Sequence, residues 1–424
     1  MTIDAFPQNF IWGVSTAGHQ IEGNNHTSDT WYLEHVTPTV FAEVSGPGCD
    51  SYTRWEEDLD MVTSLGLTAY RFSVEWARIE PRQGVIDEDA VAHYAAIVDG
   101  CLQRGLAPMV TFNHFTAPHW FAMLGGWLNP ASAELFADYC GVIMDRFGSD
   151  IAFAVTLNEP NLPQVLQWSG IPEFVHDLER ATLEAASAKA GVPRYRVGNV
   201  VLAEEFGPMQ DALTRAHLAA RKAIKARRPD LPVGLSIAIV DDVAAPGGEA
   251  LRDRKRDEVY DHWLRLAADD DFLGIQNYEQ ISYGPHGQLP ARPGVSVNAM
   301  GTAIEPASLV GAIRYAYSVS GVPILVTEHG LGTPDDTLRA NFISAALDAL
   351  KEELAAGTPI LGYCHWSLMD NFEWISGYDT QFGLYEVDRE TFDRTPKPSA
   401  RAYARYVAAQ AAVLLAEGAT ANQA

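Results

Sequence analysis

Two short islands carry the residues with the most evident chemistry: Thr156–Pro160, TLNEP, and Val326–Gly330, VTEHG. Each places a glutamate, Glu159 or Glu328, directly after a short apolar run, AFAVTL or VPILVT. A carboxylate just past the end of a strand sits where parallel sheets and (β/α)8 barrels build their active sites. Either glutamate alone could simply end a strand and meet solvent. Two of them facing each other across a pocket are the minimum equipment for cleaving a glycosidic bond, one as acid and the other as nucleophile or base.

Such a pair has to be held by elements, and the chain alternates short β-rich runs with helical stretches. Candidate strands are Phe10–Gly13, Ala69–Ser73, Ala107–Phe112, Ile151–Leu157, Val233–Ile237, Phe272–Ile275, Ile324–Thr327 and Ile360–Trp366. Between them lie amphipathic stretches. Asp89–Gln103 carries apolar Val91, Tyr94, Ala95, Val98 and Leu102 at helical spacing, and Ala131–Phe147 reads the same way. Gly and Pro signals close such segments, as in GLAP after Gln103 and RRPDLP before Val233. Eight strand–helix units predict a single (β/α)8 TIM barrel over residues 1–416, with 417–424 as a disordered tail.

That fold demands that polar and aromatic residues gather after the strand C-termini, and they do so at seven of the eight. Gln20 and Glu22 follow the first strand, Arg71 ends the second and His114 follows the third. Asn158 and Glu159 follow the fourth, Tyr278 the sixth and Glu328 the seventh. The eighth leads into Trp366, Asp370, Asn371, Glu373 and Trp374. Asn161–Gly198 and Ser282–Pro306 read as long loops on that face, although Glu173–Ala190 has helical character.

Composition narrows the function classes. The chain has 424 residues, 47% hydrophobic and 20% charged, the make-up of a globular protein. Its charge balance, 30 − 55 = −25, disfavours nucleic acid and anionic membranes as partners. No apolar run is long enough for a membrane span. The N-terminus lacks the basic and apolar regions of a signal peptide, so a cytoplasmic location is expected. Four scattered cysteines (Cys49, Cys101, Cys140, Cys364) argue for reduced thiols over a disulfide or zinc framework. Ten tryptophans and sixteen tyrosines suit sugar stacking, although aromatics fill cores as well.

With these residues assembled, the chain resembles glycoside hydrolase family 1, the β-glucosidase type. The likeness runs from FPQNFIWGVSTAGHQIEG at Phe6 to RTPKPSARAYARYV at Arg394 and includes YRFSVEWARIEP and GYCHWSLMDNFEW. TLNEP resembles the family's acid/base motif and VTEHG its nucleophile motif, with His329 where Asn is more usual. The resemblance implies a retaining β-glycosidase acting on β-glucosides, with Glu159 as acid/base and Glu328 as nucleophile about 5–5.5 Å apart. It implies that Arg71 and Tyr278 partner the nucleophile and that Asn158 meets the sugar 2-hydroxyl. Gln20, His114, Trp366 and Glu373 would bind the sugar, with Trp374 and Phe382 lining the same pocket.

A small-molecule β-glycoside is the expected partner, and neither metal nor organic cofactor is required. Glu373, with no basic cluster after it in NFEWISGYDTQFG, favours an unphosphorylated sugar. Departures from the family pattern are His19 for Tyr, Phe115 for Trp, Gln276 for Asn in GIQNY, and Thr302 where an aromatic is frequent. They leave open a β-galactosidase, β-fucosidase or transglycosidase of the same family, along with the aglycone and the oligomeric state, a homo-oligomer included. A sugar-binding barrel without activity would be expected to lose a carboxylate or its Asn and Tyr neighbours, and all are present.

Overall fold

A computed structural model describes residues 5–298 and 301–421. Eight parallel strands close into a barrel. They are β1 Ile11–Ser15, β2 Ala69–Ser73, β3 Ala107–Asn113, β4 Phe153–Asn158, β5 Val233–Ala238, β6 Leu273–Asn277, β7 Ile324–His329 and β8 Ile360–Trp366. Each pairs with its neighbours in sequence, and β1 closes on β8 through Ile11–Ser15 opposite Gly362–Trp366. The expected fold is therefore the observed one.

Principal outer helices follow in turn: α1 Ser51–Ser64, α2 Glu88–Gln103, α3 Ser132–Phe147, α4 Phe206–Arg227, α5 Glu249–Arg256, α6 Ser308–Ser320, α7 Asp336–Ala356 and α8 Pro398–Ala421. Local chemistry sets their ends. Asp87 caps α2 by accepting from the Asp89 and Ala90 amides, and Asp335 caps α7 in the same way. Gly321 and Gly357 end α6 and α7 in the left-handed conformation that glycine adopts without penalty. On α2 the buried stripe is Val91, Tyr94, Ile97, Val98 and Cys101. Leu102, expected inside, is 46% exposed, because the stripe continues through Cys101.

Inside the barrel, Met109, Val155, Phe272, Leu325 and Cys364 form a separate apolar cluster near the strand N-termini. It plugs that end, so the polar groups collect at the other. α8 runs through the segment expected as a tail as far as Ala421, in keeping with its alanine-rich sequence, and residues 422–424 lie outside those described. The Asn161–Gly198 loop is largely helical, with Leu162–Trp168 and Glu173–Ala190. Ser282–Pro306 carries part of a small sheet, Asp241–Ala244, Gln280–Gly284 and Gly287–Gln288, beside the barrel mouth; its residues 299–300 lie outside those described.

Candidate active site

Glu328 lies within β7, one residue deeper than the apolar run suggested, and the barrel register sets it beside Gln276 of β6. Three donors converge on its carboxylate. Arg71 Nη1 reaches Oε1 at 2.5 Å, Gln276 Nε2 reaches the same oxygen at 2.8 Å, and the Tyr278 hydroxyl donates to Oε2 at 2.6 Å. Gly330, two residues on, has to be glycine: an added Cβ would sit 2.2 Å from the Trp366 carbonyl oxygen. Burial raises the Glu328 pKa, while Arg71 and Tyr278 pull it back towards the ionised form. The Tyr278 phenol is held well above its usual range, first by burial and then by Glu328, so it stays a donor.

Glu159 follows the last residue of β4 and has φ +44, a conformation that costs a non-glycine residue about 1–3 kcal/mol. Its amide is anchored to the Ser236 carbonyl at 2.8 Å. Among the described residues no cation pairs directly with its side chain. Burial, then the charge of Glu328, and more weakly that of Glu373, hold its pKa well above the carboxylate range, with Arg71 opposing. Two carboxyls of one type thus meet opposite environments: Glu328 is the first to ionise and Glu159 keeps its proton.

Asn158 connects the two. Its Oδ1 accepts from Arg71 Nη2 at 2.6 Å and from Gln276 Nε2 at 2.7 Å, which leaves its amide NH2 as donor to His114 Nε2 at 3.3 Å. Burial and the nearby Arg71 hold His114 neutral, its pKa well below the usual value. This network assigns the ring proton to Nδ1, which is buried without a protein partner.

The remaining polar groups gather on the β8–β1 side. Gln20 is oriented by donating Nε2 to Asn371 Oδ1 (3.0 Å) and to the Phe372 carbonyl (2.8 Å), leaving a buried Oε1 without a protein hydrogen bond. Trp366 Nε1 donates to Glu373 Oε1 at 3.4 Å. Burial pushes Glu373 up to about 8, against that hydrogen bond. The rings of Trp366, His114, Trp374 and His19 lie in a near-parallel row, with successive centroids 5.7, 6.1 and 5.7 Å apart.

Glu159, Glu328, Gln20, His114, Tyr278, Trp366, Glu373, Trp374 and Phe382 all line one cavity of about 360 Å³ at the strand C-terminal mouth. Arg71 and Asn158 lie beneath it, touching the lining groups. Three strand-end residues do other work. Glu22 is paired with Arg78 at 2.7 Å and Tyr94 at 2.8 Å, and Asp370 pairs with Lys397 at 2.5 Å. Asn371 holds Gln20 and does not line the cavity. His19 pairs with Glu34 at 2.8 Å behind Trp374.

Sequence reasoning missed one wall: Leu162, Val165 and Leu166 of the short helix, Ala238 at the end of β5, and Ile239 and Val240 after it. Nothing in their types distinguished them from core. Gln276, noticed only as a departure from a motif, turns out to bridge the nucleophile candidate and Asn158.

A sequence profile of glycosyl hydrolase family 1 matches residues 2–185 and 265–412. Beta-glucosidase A of Thermotoga maritima is 28% identical, the alignment covering 96% of this chain and 98% of that protein. The bifunctional beta-D-glucosidase/beta-D-fucosidase of Bifidobacterium breve is 30% identical over 95% of this chain and 98% of its own. Among solved structures, beta-glycosidase BGL167 is 45% identical with a TM-score of 0.90, covering 96% of this chain and 97% of that one. Beta-glucosidase from Thermotoga maritima with deoxynojirimycin is 26% identical, with a TM-score of 0.80 and coverage of 96% and 99%.

Proposed function

The chain belongs to glycosyl hydrolase family 1, and on that premise we propose that it hydrolyses terminal β-D-glucosyl residues of β-glucosides by double displacement. The observation that carries the reading is the unequal setting of the two carboxyls: among the described residues, three donors reach Glu328 and none reaches the Glu159 carboxyl.

Glu328 attacks the anomeric carbon while Glu159 gives its proton to the leaving oxygen. The alcohol departs and a glycosyl ester on Glu328 remains. That step removes the charge that held the Glu159 pKa up, so Glu159, now ionised, can take a proton from water as it attacks the ester. Retention follows with the carboxyls about 5–5.5 Å apart. Asn158, its amide aimed by Arg71 and Gln276, donates to the 2-hydroxyl, a contact that strengthens in the transition state. Gln20, His114 and Glu373 read the other hydroxyls and Trp366 offers a face to the ring.

An unphosphorylated sugar is favoured because no Lys or Arg lines the cavity among the described residues, while Glu373 does. A cytoplasmic location is supported by four buried, unpaired cysteines, and none of the described helices is long and apolar enough to cross a membrane. The Bifidobacterium breve relative, named for both activities, makes β-fucosides the second substrate to try.

The test is release of p-nitrophenol from the β-glucoside, β-galactoside and β-fucoside, with and without chelator. Turnover on none of them refutes the reading. In Glu159→Ala, azide should restore turnover of an activated glucoside as the β-glycosyl azide; an α-azide would refute retention.

A further inference from the structure

The cavity has two ends of opposite character. In a closed eight-stranded barrel β4 and β5 lie across from β8 and β1. The β8–β1 side contributes Gln20, Trp366 and Glu373; the β4–β5 side contributes Leu162, Val165, Leu166, Ile239 and Val240. Glu159 stands at the head of that second side, and Leu162 donates its amide to the Glu159 carbonyl at 3.0 Å. A leaving oxygen that takes its proton from Glu159 therefore carries its substituent onto an aliphatic wall.

Among the described residues, polar groups near that wall already have partners on their own chain. Ser169 donates its hydroxyl to the Val165 carbonyl at 3.0 Å, and Glu279 accepts from the Thr302 hydroxyl at 2.6 Å. A sugar in the leaving-group position would want hydroxyl partners and an aromatic face. Trp168, the one tryptophan of the short helix, is turned away: it donates to Glu258 at 3.1 Å and packs under Arg254.

Resting on the glycosidase reading above, we propose that the leaving group this site accommodates best is an apolar alcohol, alkyl or alicyclic, and not a second sugar. The Glu159 proton goes to the ether oxygen, and the free alcohol departs along the aliphatic wall. Because kcat/KM covers only steps up to alcohol release, it isolates this preference from hydrolysis of the common glucosyl intermediate.

The experiment is kcat/KM for methyl, butyl, hexyl and octyl β-D-glucoside, below micellar concentrations, alongside cellobiose. Each methylene that reaches the wall should raise kcat/KM about two- to fourfold, and octyl β-glucoside should exceed cellobiose at least tenfold. A flat series, or cellobiose equal to or better than octyl glucoside, overturns the proposal while leaving the glycosidase reading intact. No turnover of these or of p-nitrophenyl β-glucoside overturns that parent reading instead. Half-buried Leu162 and Leu166 supply the variants. Leu162→Gln or Leu166→Gln should lower the octyl-to-cellobiose ratio at least fivefold within one preparation, which makes the readout independent of the folded fraction. An unchanged ratio in both overturns the assignment of the wall.

Discussion

Replacing Tyr278 by Phe removes a single hydrogen bond, the 2.6 Å contact from its hydroxyl to Glu328 Oε2, and keeps the ring. A hydrogen bond to a charged group contributes about 1.5–3 kcal/mol. With 1.36 kcal/mol per pKa unit, the Glu328 pKa should rise by about 1–2 units. Arg71 and Gln276 remain on Oε1, so the carboxylate still forms. The sign follows from which form is active. Glu328 has to be ionised to attack, activity is lost as pH falls through its pKa, and a donor lost from the charged form raises that pKa. The acidic limb of kcat/KM against pH, measured on an aryl β-glucoside, should therefore move to higher pH by about 1–2 units. Because the two glutamates titrate as a pair, the limb belongs to the pair and the comparison is variant against parent. A limb that stays in place, or moves to lower pH, would refute the hydroxyl as donor to an ionised nucleophile.

Three further outcomes follow from the same contacts. In Glu328→Gln the charge that raises Glu159 is gone, so the Glu159 pKa should fall, as a carboxyl-carbon NMR titration would show, and turnover should be almost abolished. Gln276→Leu removes the 2.8 Å bond to Glu328 and the 2.7 Å bond to Asn158, and should lower kcat/KM roughly 10–100-fold with unfolding free energy little changed. Lys255 and Asp242 form a fully buried pair at 2.7 Å, and neither lines the cavity. Lys255→Met should cost about 3–5 kcal/mol in chemical denaturation, and adding Asp242→Leu should recover most of it.

Reading from sequence succeeded where periodicity and chemistry agreed. β2, Ala69–Ser73, and β8, Ile360–Trp366, have the bounds expected of them. β6 and β7 run two residues further than their apolar runs, since Gln276, Asn277, Glu328 and His329 continue the ladder while their side chains find partners inside the protein. Glu328 is thus part of its strand, and the apolar run ends too early to include it, whereas Glu159 stands one residue past β4. That Glu159, Glu328 and their polar neighbours would gather at one cavity was legible because polar residues at strand ends need a reason. The apolar wall was not, because Leu162, Val165 and Ile239 have the same types as core residues, and only the third dimension separates a core leucine from one facing a cavity. The Leu162–Trp168 helix, seven residues with a proline in its first turn, was also too short for its period to show.

The central claim is that Glu328 forms a covalent bond to the sugar. It is tested most directly with a 2-deoxy-2-fluoro-β-glucoside bearing an activated leaving group, which slows hydrolysis of the ester more than its formation, followed by peptide mapping of the trapped protein. The account predicts one fluoroglucosyl group, on the peptide containing Glu328. A label on Glu159 or any other residue, or α-glucose as the first product released from an unmodified β-glucoside, would contradict it.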